Sequence, residues 1–290
     1  MKRKKLTASM IALVMSVSLP MTTYAANWYL EDGSVTVNAD NSGQTVTQGS
    51  TSTPDEAPVI TQRGSSAETS NTITINASEN ATANVTISDV NINTSDAAVF
   101  TKGKGNVNIE LDGTNTLKSG REHAGLEKSG DGKLTITDEN GNGKLIATGG
   151  QYGAGIGGGF YEGGKNITIA GGKVTANGGD YGAGIGGGQE GDGSNITITD
   201  GEVIAAGGTN GAGIGGGGGI SGKGEKISIS GDAKLKVQGG SGDYWDGAGA
   251  GIGNGGSHNG DYLSGTIPVN GAETEPDTSN LTTGKIEYYA

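Results

Sequence analysis

Six aromatic side chains of this sequence stand where they could meet a sugar. Tyr152 and Tyr181 are 29 residues apart, each just before a copy of the motif Gly-Ala-Gly-Ile-Gly-Gly-Gly, and Asn210 holds the equivalent third place. Phe160-Tyr161 follows the first copy, and Tyr244-Trp245 precedes an altered fourth one. A flat ring offers apolar area with a polar edge, which matches the face of a pyranose. Equivalent positions stack on one edge of a repeat, so Tyr152, Tyr181, Phe160, Tyr161, Tyr244 and Trp245 are the candidate ligand-binding residues. A tyrosine ladder that only shields a corner from water uses the same spacing and is the simpler alternative.

Other chemistry has less behind it. Asp243 and Asp246 flank the last aromatic pair, and with Asp180, Asp192 and Asp200 they offer oxygen ligands of the kind calcium prefers, so the two are the candidate metal ligands. Gly239-Gly240-Ser241-Gly242-Asp243 looks like the glycine-aspartate calcium repeat, but that repeat has a nine-residue period and this chain does not. His123 and His258 occupy non-equivalent places with no Ser or Cys nucleophile pattern beside them. Asp and Glu fall mostly at turns, where they are expected anyway. No catalytic residue is assigned. Rows such as Thr135/Thr137, Thr197/Thr199 and Ser228/Ser230 could suggest an ice-binding face, but Ala170 interrupts them and Lys133 and Lys226 add charge.

The elements that must position these residues follow from the repeat. The glycine motif occupies 153–159, 182–188 and 211–217 and returns altered at 249–255. A fixed period of this size marks units that bury their apolar side only by stacking. Each unit has three segments. Segment A is Asn166-Ile167-Thr168-Ile169 and its equivalents, segment B is Lys173-Val174-Thr175-Ala176 and its equivalents, and segment C is the glycine motif. Alternation sends the Ile and Val rows to one side and the polar rows to the other. The same grammar runs backwards through Leu134/Ile136, Val107/Ile109 and Val85/Ile87, and Ala97-Ala98-Val99, Ala124-Gly125-Leu126 and Ala154-Gly155-Ile156 align as successive C segments. The expected fold is all-β: a right-handed parallel β-helix with three short strands per turn. Six turns from Val85 to Ile252, about 4.8 Å apart, make a rod on the order of 30 Å long.

Gly-Gly pairs after segment B are read as corners. Alternate glycines within segment C are expected to leave one outer wall as bare backbone, either for close chain approach or as a flat groove for an extended polymer. Residues 27–71 read as a cap hairpin about Asp32-Gly33 followed by a polar linker, 72–270 as the β-helix, and 271–290 as a tail that leaves the coil.

Residues 1–25 read as a signal peptide: Lys2-Arg3-Lys4-Lys5, the apolar run Met10 to Leu19, and small residues at Ala25-Ala26, with cleavage after one of these alanines. Removing four basic residues takes the net charge from −12 to −16, which disfavours nucleic acid as a partner. The sequence has no cysteine, so packing and backbone hydrogen bonds must supply the stability. No later apolar run is long enough for a transmembrane helix. With 59 Gly and only 2 Phe and 2 Trp, one broad core is excluded in favour of a thin, stacked one.

The Val-x-Ile and Ala-x-Val grammar of 84–148, followed by GAGIGGG units, resembles exported glycine-rich β-helix repeat proteins of Gram-positive gut bacteria. More loosely it is similar to carbohydrate-binding β-helix proteins related in fold to pectate lyases. The resemblance covers about 70–270. Neither calcium ligands nor lyase catalytic residues match one by one, so none is carried over. The resulting expectation is a secreted, extracellular or cell-wall-associated solenoid, not an enzyme, whose partner is an extracellular polysaccharide or host glycan, with calcium as a candidate ion. The rivals are a passive spacer or coat protein and a polysaccharide lyase of the same fold.

Overall fold

The computed structural model describes residues 25–64, 66–220, 222–244, 246–259 and 267–289, so the expected leader lies outside the described residues apart from Ala25, as does Trp245. Among these residues the chain is all-β, with a single 3-10 turn at Leu30–Asp32, and it winds as a parallel β-helix of about seven turns. No helix among the described residues is long and apolar enough to cross a membrane.

Three faces carry the strands. Face A runs from Asn27–Tyr29 through Val59–Thr61, Thr82–Ser88, Asn106–Asp112 and Leu134–Thr137 into the first halves of Gly164–Asn177 and Gly193–Ala206, and ends at Gly224–Ile229. Face B takes Asn91–Asn93, Thr114–Lys118, Lys144–Thr148, the second halves of the two long strands, Lys234–Gln238 and Lys285–Tyr288. Face C stacks Val35–Asp40, Ile73–Ala77, Val99–Gly103 and Leu126–Lys128 on four two-residue strands that begin at Ile156, Ile185, Ile214 and Ile252.

Register puts like on like. On face A, Val85, Ile109, Ile136, Ile169, Ile198 and Ile229 are successive partners. On face C the column is Val35, Ile73, Val99, Leu126, Ile156, Ile185, Ile214 and Ile252. All are buried. β-branched side chains suit such columns because their stiff χ1 packs against the neighbour above and below. One polar residue joins the inner row of face B: buried Asn115 accepts the Val90 N–H and donates to the Asp112 and Lys144 carbonyls, so its amide is used by backbone groups at the A–B corner.

The expected bare glycine wall does not exist. Residues 153–159, 182–188 and 211–217 are buried throughout. A Cβ on Gly153, Gly182 or Gly211 would lie 2.0, 1.9 or 1.9 Å from a carbonyl oxygen of the preceding rung. The segment is also not extended. Gly157, Gly186, Gly215 and Gly253 have φ of 138°, 139°, 138° and 143°, a conformation open to glycine and costly for other residues. That kink turns the next carbonyl back, so the N–H of Ala154, Ala183 and Ala212 donates to the carbonyl of Gly158, Gly187 and Gly216. One rung earlier Glu127 aligns with Gly157. There the Glu127 carboxylate takes the place of the missing carbonyl, accepting from the Ala124 N–H at 3.0 Å and pairing with His123 Nδ1 at 2.9 Å.

Both ends of the coil differ from the sequence reading. The strands beside Asp32-Gly33 do not form a hairpin: Asn27–Tyr29 pairs parallel with Val59–Thr61 on face A, and Val35–Asp40 with Ile73–Ala77 on face C. Buried Leu30 holds the turn between them. The antiparallel pairs come next, from Val35–Asp40 to Gly43–Gln48 to Thr51–Pro54, and they cover the open end of face C. The supposed linker is thus the first turn and its cap. Its buried Gln44 acts as a surrogate strand: the side-chain amide accepts the Asn84 N–H at 2.8 Å and donates to the Asn84 carbonyl at 3.0 Å. The tail does not leave the coil either. Glu273 accepts the N–H of Gly251 and Ile252 at 2.8 and 3.1 Å, Asp277 bridges Ser228, and Lys285–Tyr288 adds a strand to face B. Polar residues at both ends satisfy backbone groups that an uncapped ladder would leave open.

Each buried Ile contributes about 1.5–3 kcal/mol, and stacking couples one rung to the next. Ile185→Asp places a charge between Ile156 and Ile214 and is expected to lower the melting temperature of several rungs in one cooperative step by circular dichroism. A melt unchanged in midpoint and steepness would contradict the ladder.

Candidate functional site

The glycine segments set two columns of loop residues side by side at one corner. Backbone bonds from Tyr152 N–H to the Arg121 carbonyl (2.9 Å), from Tyr181 to Gln151 (3.1 Å) and from Asn210 to Asp180 (2.9 Å) build the first column rung by rung. After each glycine motif the chain returns to the same corner: the N–H of Phe160, Gln189 and Gly218 donates to the carbonyl of Glu122, Tyr152 and Tyr181. Residues separated by eight positions in sequence therefore meet in space.

Four of the six candidate aromatics come together there. The Tyr152 ring lies 4.9 Å from Phe160 and 5.8 Å from Tyr181, and Phe160 lies 3.9 Å from Tyr161, measured between centroids. The planes are tilted by 32–39°, so the rings form a splayed cluster and not a flat strip. The Arg121 guanidinium sits 4.7 Å over the Tyr152 ring and donates to its hydroxyl, which holds the phenol by charge and by a hydrogen bond. Arg121 also donates to Gln151 Oε1 at 2.9 Å, and Gln151 to Asp180 at 3.3 Å, so a polar row runs beside the rings. Sequence reasoning missed this row, although Gln151 and Asp180 immediately precede Tyr152 and Tyr181.

The column stops at its third place. Asn210 is fully buried and donates to the Asp246 and Gly247 carbonyls at 3.2 and 3.3 Å, under the loop that carries Tyr244. Tyr244 is 79% exposed on that loop. Asp243 accepts the Asp246 N–H at 2.8 Å and Asp246 is buried, so Asp243 serves as a turn cap. Asp192 accepts the Lys223 N–H of the next rung, and Asp200 the adjacent Gly201 N–H. Among the described residues no three acidic or histidine side chains gather as a metal cluster.

Tyr161 stands apart in its backbone. Its φ is 59°, and the equivalent residues one and two periods later are Glu190 at 58° and Gly219 at 117°. A left-handed turn is therefore part of the repeat, and glycine fills it at the lowest cost. Tyr161 instead puts a ring there that is 60% exposed.

A separate polar groove of about 450 Å³ crosses face A, floored by Asn84, Thr86, Asn108, Glu110, Thr135 and Thr137. Asn108 donates to Asn84 at 2.9 Å, and the Glu110 carboxylate accepts from the Thr137 hydroxyl and the Glu139 N–H. Its groups are thus already engaged with one another.

Neither a protein-family model, nor a curated protein, nor a solved structure matches the chain.

Among the ionisable groups Lys128 is buried, and its amine donates to the Gly130 carbonyl at 3.0 Å. Burial, with repulsion from Lys165 and partly offset by Asp131, pushes the amine down to about 8 from the usual 10.5. Between those values the unfolded chain binds the extra proton, so this group makes stability rise with pH. From pH 8 to 10, Lys128→Met is expected to flatten that rise in urea unfolding. An identical slope in the variant would show that Lys128 does not carry it.

Proposed function

We propose that the chain is an exported β-solenoid of the cell surface or extracellular medium that binds polysaccharide without catalysis, through the Tyr152, Phe160, Tyr161 and Tyr181 corner. The observation that carries the proposal is Tyr161. A bulky side chain in the left-handed region costs on the order of 1–2 kcal/mol, and this one gains little burial in return, since most of its ring meets water. A ring kept exposed at a backbone cost is best understood as a contact for something outside the chain, and a sugar face is the ligand that suits it. The adjoining Arg121, Gln151 and Asp180 row supplies hydrogen-bonding groups of the kind a hydroxyl-rich ligand needs.

A passive spacer is favoured by a different observation: Tyr152 is already engaged by Arg121, Phe160 and Tyr181. The two readings part at one substitution. Tyr161→Gly relieves the turn, so it is expected to raise stability by about 1 kcal/mol, while loss of a stacking ring weakens glycan affinity by about tenfold. Thermal melts and a glycan array, run with and without calcium, read both effects. If the wild-type chain retains no glycan under either condition, the binding proposal fails and the spacer reading stands.

A further inference from the structure

The N-terminal end of the coil holds a buried carboxylate that lacks a charged side chain as partner. Asp55 is 2% exposed. Its Oδ2 accepts the Trp28 indole N–H at 2.9 Å and the Ala26 backbone N–H at 3.2 Å, and its Oδ1 accepts the Ala57 N–H at 3.2 Å. No lysine, arginine or histidine among the described residues forms an ion pair with it. A carboxylate removed from water is costly unless a cation compensates it. One of the three nitrogens bonded to it belongs to Ala26, at the site where the leader is expected to end.

We propose that cleavage between Ala25 and Ala26 creates the missing cation, and that the α-ammonium of Ala26 forms a partly buried ion pair with Asp55 that locks the first strand of face A in place. The proposal rests on the signal-peptide reading and chooses between its two cleavage sites. A cut after Ala25 leaves small residues, Thr23 and Ala25, at the two positions a signal peptidase inspects, whereas a cut after Ala26 puts Tyr24 at one of them. The Ala26 carbonyl also accepts the Val59 N–H at 3.0 Å, so a cut after Ala26 would remove both anchors. Ala25 and Ala26 are exposed, which leaves the bond open to the peptidase. In the hydrolysis water adds across the Ala25–Ala26 amide and the C–N bond breaks. The leader departs with a carboxylate on Ala25, and the new amine takes up a proton at neutral pH.

The ion pair has a pH signature. A chain-terminal amine titrates near about 8, and a carboxylate partner raises that value in the folded state. Its contribution is therefore complete below the unfolded value and is lost as pH rises through the raised folded value. Other charged groups of this end among the described residues include Glu56, which accepts the Gln44 N–H at 2.9 Å, Asp40, which accepts the Ser42 N–H at 2.7 Å, and, at the far end of the strand, Glu31 and the Asp32–Arg63 pair beside Tyr29.

The test has two arms. The full chain is exported from a bacterial secretion host and the product's N-terminus sequenced. In parallel, a chain released from a fusion so that it begins at Ala26 is melted with its amine free and with its amine acetylated, from pH 6 to 10, as wild type and as Asp55→Asn. The expected product begins at Ala26. The free-amine chain should melt several degrees higher below pH 8, and that gap should close toward pH 10 and be absent in Asp55→Asn. A product beginning at Asn27 overturns the assignment of the cut. Equal melts of free and acetylated wild type overturn the ion pair. A retained leader overturns the signal-peptide reading, and the second arm still decides whether the Ala26 amine and Asp55 interact.

Discussion

Close approach of one rung's backbone to the next, at the glycine segments, is the constraint on which the rest of this structure depends. Carbonyl oxygens of one turn lie where the Cβ atoms of the next would have to be, as at Gly182 over Gly153 and Gly211 over Gly182. With side chains excluded, the backbone groups of face C bond between rungs and across each kink, from Gly155 to Ala183 and from Ala154 to Gly158. The column of Ile156, Ile185, Ile214 and Ile252 beside them supplies the apolar burial, together with Ala154, Ala183, Ala212 and Ala250. A chain with so few large side chains obtains a dry core by making it narrow.

That constraint also explains where ligand-binding chemistry could reside. A sealed face C has no room for a polymer, so the groove once conceivable along the glycines is closed. Freedom to vary is left to the loops at its two edges. One edge carries Tyr152 and Tyr181, the other returns Phe160 and Tyr161 to meet them, and the rungs hold both at a fixed pitch.

Much of this was legible in the residues, and the failures have physical reasons. The alternating Ile and Val rows gave the faces and the register from Val85 to Ile252, since period-two burial leaves a direct trace. The glycine wall was misread because alternation presumes an extended strand, while φ values near 140° at Gly157 and its equivalents fold the segment back. Caps were misread because their residues answer to open backbone edges and not to a pattern. Gln44 posing as a strand, or Glu273 closing two amides, looks like ordinary linker polarity in one dimension. The Tyr152 and Tyr181 pairing followed from the period, whereas the arrival of Phe160-Tyr161 required knowing that the loop returns to the corner it left.

The thermal stability of Gly182→Ala beside Gly64→Ala tests the close approach of the rungs. At Gly182 the added methyl would lie 1.9 Å from the Gly153 carbonyl oxygen, whereas at Gly64 it meets nothing within 4 Å. If rung-to-rung approach holds the coil together, the first substitution lowers the melting temperature sharply and blunts the transition while the second leaves it in place. Equal melts for the two variants would mean that the glycine stack is not what the fold depends on.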